Sequence, residues 1–166
     1  MKKLVATFLS LAALAAIPAT ANAQSSTTVR ITNQNSNKAL SVVNGSVVQA
    51  PFTNRADQKW AMTSLGNVGG SKVAFTYRSL STGRCLDIEG PGSGRAIVLR
   101  PCSTTKRSQH WVRDFAQNTT FLATVNRSTG LAMSVKNRSR ITGAAIVQEF
   151  NSGGTHQKWS VFGFGS

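Results

Sequence analysis

Gln58-Lys59-Trp60, Gln109-His110-Trp111 and Gln157-Lys158-Trp159 hold all three tryptophans of the chain. The glutamine-to-glutamine intervals are 51 and 48 residues. A motif returning at a near-constant period of about 50 marks one structural unit written three times. The repeats fall at about 29–73, 74–117 and 118–164.

The units match beyond their tryptophans. Each opens with a short apolar run: Val29-Arg30-Ile31-Thr32, Phe75-Thr76-Tyr77-Arg78 and Leu122-Ala123-Thr124-Val125. A second run follows: Ala39–Val43, Cys85–Ile88 and Ala132–Val135. The third is Val47–Ala50, Ala96–Leu99 and Ala145–Gln148, and the fourth carries the tryptophan. Runs of four to six residues, rich in Val, Ile and aromatics and bounded by Gly, Asn and Ser, read as strands joined by tight turns. No stretch after the first 23 residues keeps apolar residues at helical spacing over three turns. Four strands in each of three units predict an all-β chain of about twelve strands.

Residues 1–23 read as a signal peptide. Lys2-Lys3 is a positive start, Leu4 to Ile17 an apolar core, and Ala21-Asn22-Ala23 a cleavage site. The apolar run is short for a membrane span. The expected mature chain is 24–166, one domain able to bury a sizeable core, secreted or periplasmic and with no membrane span after cleavage. In an oxidising compartment Cys85 and Cys102 are expected to pair, a link worth on the order of 3 kcal/mol. Metal binding is the rival reading. Two cysteines and two histidines with no close pair give it little support, so no metal and no cofactor are expected.

The chain has 19 basic and 5 acidic residues. Without Lys2 and Lys3 the balance is 17 to 5, a net of +12, and eleven of the 17 are arginine. Such an excess exceeds what solubility needs. It predicts attraction to polyanions, with arginine favouring forked contacts to carboxylate, phosphate or sulfate. Candidate contacts cluster in two places: Lys106, Arg107 and Arg113 around the second motif, and Lys136, Arg138 and Arg140 in a turn of the third repeat. Nucleic acid, lipopolysaccharide, teichoic acid, sulfated or acidic polysaccharide and acidic protein all fit that signal.

Three Q-x-W units, with Cys85-Leu86-Asp87-Ile88 followed by Arg100-Pro101-Cys102, resemble the ricin B-type lectin family over residues 29 to 164. The resemblance implies a β-trefoil, a six-stranded barrel capped by three hairpins. It gives Trp60, Trp111 and Trp159 to the core and makes each glutamine a partner of buried backbone groups. It also implies what a sugar site needs: an aspartate on the second strand, an aromatic platform at the end of the third, and a polar residue before the glutamine. The first repeat offers Ser41, Ala50 and Asp57 there, and the third Ser134, Glu149 and His156. The middle repeat keeps Asp87, with Arg100 at the platform, Ser108 before the motif, and Gln109. Asp87, Arg100, Ser108 and Gln109 are therefore the candidate sugar-binding residues. Arg100 in place of an aromatic implies acidic or sulfated sugars.

No catalytic residues stand out. Asp87 and Glu89 lie close together among arginines, which lower carboxyl pKa values; a glycosidase needs one raised across a cleft. His110 and His156, at strand edges, are expected to face solvent or a turn. Gly90–Gly94 lacks the G-K-[ST] ending of a phosphate loop and reads as a hairpin loop. Two functions remain, neither enzymatic. One is a secreted, lectin-like carbohydrate-binding module with at most one family-type site. The other is a basic trefoil binding a polyanion or a protein partner, such as an inhibitor or a toxin accessory subunit, that has lost sugar chemistry.

Overall fold

Alternating apolar and polar residues between glycine and asparagine turns leave the chain one way to bury its apolar side, as strands. The structure, a computed structural model, describes residues 25–164; the expected leader lies outside them. Among the described residues there is no α-helix. The strands are β1 (Ser26–Asn33), β2 (Ala39–Val43), β3 (Ser46–Ala50), β4 (Trp60–Gly69), β5 (Lys72–Ser79), β6 (Cys85–Ile88), β7 (Ile97–Arg100), β8 (Trp111–Asp114), β9 (Leu122–Ala123), β10 (Val125–Asn126), β11 (Ala132–Val135), β12 (Ile146–Glu149) and β13 (Lys158–Gly163). The extra strand beyond twelve is one interrupted strand: Thr124 separates β9 from β10 and turns its hydroxyl to the Arg113 guanidinium.

The pairing closes on itself. β1 pairs with β4 and β13, β5 with β4 and β8, β8 with β10, and β13 with β9. With β9 and β10 as halves of one strand, six strands form a barrel that leaves no free edge. The antiparallel hairpins β2–β3, β6–β7 and β11–β12 cap it. Single bridges, Val48 to Ala145 and Ala96 to Val147, tie hairpin to hairpin. The architecture is a β-trefoil.

Each tryptophan is fully buried and locks its hairpin to the barrel. The indole N–H of Trp60 donates to Leu40 O at 3.0 Å, that of Trp111 to Leu86 O at 3.2 Å, and that of Trp159 to Met133 O at 2.9 Å. The glutamines form a matching set. Gln58 donates to Pro51 O, Gln109 to Pro101 O and Gln157 to Phe150 O. Each accepts the backbone N–H of a residue five or six positions earlier, Thr53, Ser103 and Ser152. Buried amides so placed satisfy loop backbone that water cannot reach.

Symmetry fails in the hairpin turns. β2–β3 turns through Asn44-Gly45, both with positive φ, the pair a two-residue hairpin requires. The other two hairpins carry long loops, and each is gripped by a buried glutamine of a different repeat. Gln148 donates to Gly90 O and Gly92 O; Gln49 donates to Ser139 O and Ile141 O. Leu99 stands at the matching place in the middle repeat, where the short first turn offers nothing to grip.

Arg113 corrects the surface reading. It is not available to a polyanion, being 4 % exposed, and it donates to Thr124 Oγ1 and Trp159 O inside the barrel. Met62 and Val161 occupy the same place two residues after their tryptophans. Cys85 and Cys102 are bonded, with Cys102 just beyond the end of β7.

Trp111→Ala should cost about 3–5 kcal/mol, since the indole is fully buried and its cavity cannot collapse onto three fixed hairpins. Urea unfolding followed by circular dichroism measures this; a loss under 1 kcal/mol would contradict the lock.

Candidate functional site

The middle repeat carries a cleft of about 680 Å³ lined by the Gly90–Ser93 loop. At its base Asp87 sits on β6 with its side chain only 1 % exposed. The carboxylate is already occupied. Lys106 Nζ reaches Oδ2 at 2.8 Å, Gln109 Nε2 donates to the same oxygen at 3.0 Å, and Ile88 N donates to Oδ1 at 2.8 Å. Arg100 Nε lies 3.8 Å from Oδ2. Burial alone would raise the Asp87 pKa, but Lys106, then Gln109, Ser108 and Ile88, hold it below the ordinary carboxylate value. Ser108 acts there through proximity, for its buried Oγ has no hydrogen bond of good geometry.

The four residues expected to form a sugar site therefore do meet. What faces the cleft is different from a family-type acid on a platform. Lys106 and Arg100 are 48 % and 45 % exposed and lie over the carboxylate. Asp87 has the dual task of holding the motif glutamine and the Lys106 loop. Glu89, just past β6, is the exposed acid of the rim, with Arg95 Nη1 3.9 Å away.

The aromatic absent from the platform comes from elsewhere. Phe150, 76 % exposed, follows β12 of the third repeat and lines the middle-repeat cleft. Sequence reasoning missed it because it looked for the ring only within the same repeat. The signal was there: an aromatic immediately after Gln148-Glu149. Ser128, Thr129 and Leu131, from the turn after β10, line the cleft too, with Thr129 Oγ1 donating to Gln148 Oε1 at 2.9 Å.

In the third repeat a smaller cleft, about 450 Å³, gathers Asn137, Arg138, Glu149 and His156. Ser134 takes the aspartate position, and its hydroxyl donates to Glu149 on the partner strand. The acid has thus crossed the hairpin. Asn137 and Arg138 both have positive φ, at 57° and 54°, a strained conformation for arginine. The first repeat keeps only Ser41, fully buried and bonded to Gln58, with Asp57 paired to Arg55.

The histidines correct their expected exposure: each is 5 % exposed. His110 bonds Thr104 O through Nε2 at 2.9 Å, and His156 Nε2 lies 3.8 Å from Glu149. Burial lowers both pKa values; Arg127 and Arg107 add to this at His110, and Arg138 at His156. Of the remaining expected polyanion contacts, Arg107, Lys136, Arg138 and Arg140 are exposed. Lys106 lines the middle-repeat cleft and Arg107 follows it in the chain, while Lys136, Arg138 and Arg140 belong to the loop held by Gln49.

A family model, the ricin-type beta-trefoil lectin domain, matches residues 27–159. A search of curated proteins by sequence gave no match. Solved structures are similar throughout. A designed 3-fold symmetric protein, ThreeFoil, superposes with TM-score 0.71 at 25% identity, covering 82% of this chain and 99% of its own. The Macrolepiota procera ricin B-like lectin, solved with lactose, gives TM-score 0.68 at 21% identity over 81% and 93%. The C-half of an earthworm R-type lectin, solved with GalNAc, gives 0.62 at 14% identity over 83% and 99%. The last two likenesses are of fold.

Acid should destabilise the protein in two steps. The histidines have folded pKa values below their unfolded value of about 6.5, so their contribution is full above it and fades as pH falls. Asp87, lowered below about 3.9, contributes fully above that and loses its share further down; Asp114, held low by Ser71 and the Ala116 N–H, acts in the same window. Melting temperature should be flat above about pH 6.5, fall gently, then fall steeply below about pH 4. His110→Gln with His156→Gln removes the first step, and Asp87→Asn shrinks the second. A melting temperature rising between pH 6.5 and 4 would overturn the assignment.

Proposed function

The chain belongs to the ricin-type β-trefoil lectin family, whose domains bind carbohydrate, and on that premise we propose that the middle-repeat cleft binds an acidic or sulfated glycan. The observation that carries this is the Lys106–Asp87 pair. A family-type site for neutral sugars uses a carboxylate whose lone pairs accept from sugar hydroxyls. Asp87 spends its Oδ2 on Lys106 and Gln109, and its side chain is shut from solvent. Lys106 and Arg100 face the cleft instead. Ammonium and guanidinium groups only donate, and a carboxylate or sulfate is their natural complement. Phe150 adds an apolar face for a sugar ring.

Sugar binding comes to this chain by likeness to lectins solved with lactose and GalNAc. The preference for acid comes from its own two cations. The expected leader and the Cys85–Cys102 disulfide support a protein that works outside the cytoplasm. A second reading, a polyanion-binding surface separate from any sugar site, is favoured by one observation: Lys136, Arg138 and Arg140 are exposed on a single loop.

A glycan array read at low and high salt separates these. Uronic-acid or sulfated glycans should bind and neutral galactosides should not. Lys106→Met should weaken the acidic ligands by about tenfold, the loss of one charge-assisted contact. If neutral sugars bind as well as acidic ones, the proposal fails. If Lys136/Arg138/Arg140→Ala abolishes heparin retention while Lys106→Met leaves it intact, the second reading takes its place.

A further inference from the structure

Phe150 and Ser93 each line two clefts. The cleft of the middle repeat and that of the third repeat therefore adjoin at a shared wall. The long Gly90–Gly94 loop of the middle repeat and the Glu149-Phe150 segment of the third meet at that wall. From this we infer that the two clefts form one groove that holds a linear acidic oligosaccharide, several units long, lying across two repeats. The inference rests on the sugar-binding reading above and extends it from a single unit to a chain.

The shared wall is built to stay in place. Gln148 is fully buried and donates to Gly90 O at 2.7 Å and Gly92 O at 2.9 Å. Its backbone is tied to the same loop, through Gln148 N to Arg95 O at 2.9 Å and Gly94 N to Gln148 O at 2.7 Å. Two residues on, Phe150 has its carbonyl held by the motif glutamine Gln157 at 2.8 Å. The ring is exposed, yet the chain on both sides of it is pinned. A fixed wall between two clefts removes an ordering cost that a mobile one would add on binding.

The two ends of the groove offer different chemistry. At the middle-repeat end stand Arg100 and Lys106 over the buried Asp87 carboxylate, with Glu89 on the rim beside Arg95. At the third-repeat end stand Arg138, a donor, and Glu149, 30 % exposed with lone pairs beyond its Ser134 and His156 contacts. Glu149 suits sugar hydroxyls and repels an anion placed directly on it. The ligand that fits has an anionic unit on Arg100 and Lys106, a ring face on Phe150, and hydroxyl-bearing units reaching Glu149 and Arg138. A chain in which acidic and neutral sugars alternate meets that order.

Titration calorimetry with chains of defined length tests this. The probes are glucuronate with hyaluronan fragments of two to eight sugars, galacturonate with oligogalacturonates, and size-fractionated heparin fragments. Affinity for at least one series should climb with length, by roughly tenfold or more over its single unit, then level off, with one chain bound per protein. Arg138→Asn keeps a residue that tolerates positive φ and removes the distal cation. In it the ratio of long-chain to single-unit affinity should fall towards one, with the melting temperature held. Binding that is independent of length, or two short chains per protein, would overturn the groove while leaving the sugar site standing. No binding at any length in all three series would overturn both.

Discussion

Each motif indole bridges the barrel and a hairpin, and the rest of the molecule depends on that bridge. The N–H of Trp60, Trp111 or Trp159 reaches a carbonyl on the second strand of its own repeat, and the ring fills the space between. Without it the hairpins would be isolated two-stranded ribbons, which are marginal alone. The neighbouring glutamine then fixes the loop between third and fourth strands. In the middle repeat it also binds Asp87, so the scaffold and the candidate site share an atom. Disturbing the fold there disturbs the site, and the reverse holds too. Asp87 is consequently a structural residue as much as a candidate site residue, and a change at it cannot be thermodynamically silent.

The threefold scaffold is regular and the loops on it are not. A two-residue Asn44-Gly45 turn in the first repeat leaves its neighbour with nothing to clamp, and Leu99 stands where the other repeats have Gln49 and Gln148. Where a long loop exists, a buried glutamine holds it by two carbonyls. Loop length and glutamine thus occur together, for a buried amide without partners would be costly. The outcome is functional asymmetry. The cleft beside the short first-repeat turn, lined by Val43, Asn44, Arg55 and Asp57, stands apart, while the second and third repeats share a wall at Phe150.

Charge is spent unevenly across the molecule. Arg113 is sealed in the barrel with neutral partners, and burial lowers its pKa against the opposing pull of Tyr77. Arg30 lies over Phe52 at 4.5 Å and faces Phe162 at 5.6 Å, a stacking role. Arg100 and Lys106 rest on Asp87. A net charge counts all of these alike. The potential that reaches a ligand depends on which cations remain solvated and what lies beneath them.

The repeated Q-x-W strings, the strand-length apolar runs and the glycine-bounded turns made the fold legible, because barrel closure is encoded in spacing and alternation that survive in one dimension. Asp87, Arg100, Ser108 and Gln109 could also be grouped from sequence, since they sit at fixed offsets from one motif. Other features had no such offset. Arg113 reads as surface charge by composition, yet it points inward because alternate strand residues face the barrel. His110 and His156 are buried by loops folding back over them. Phe150 reaches a cleft of another repeat because the trefoil sets hairpins side by side, and Lys106 covers Asp87 because its loop is pulled in by Gln109. Sequence by itself determined the three repeats and the residues that lock them. Only the tertiary structure decided which charges face solvent and which repeats share a cleft, for those depend on contacts between segments that no local spacing records.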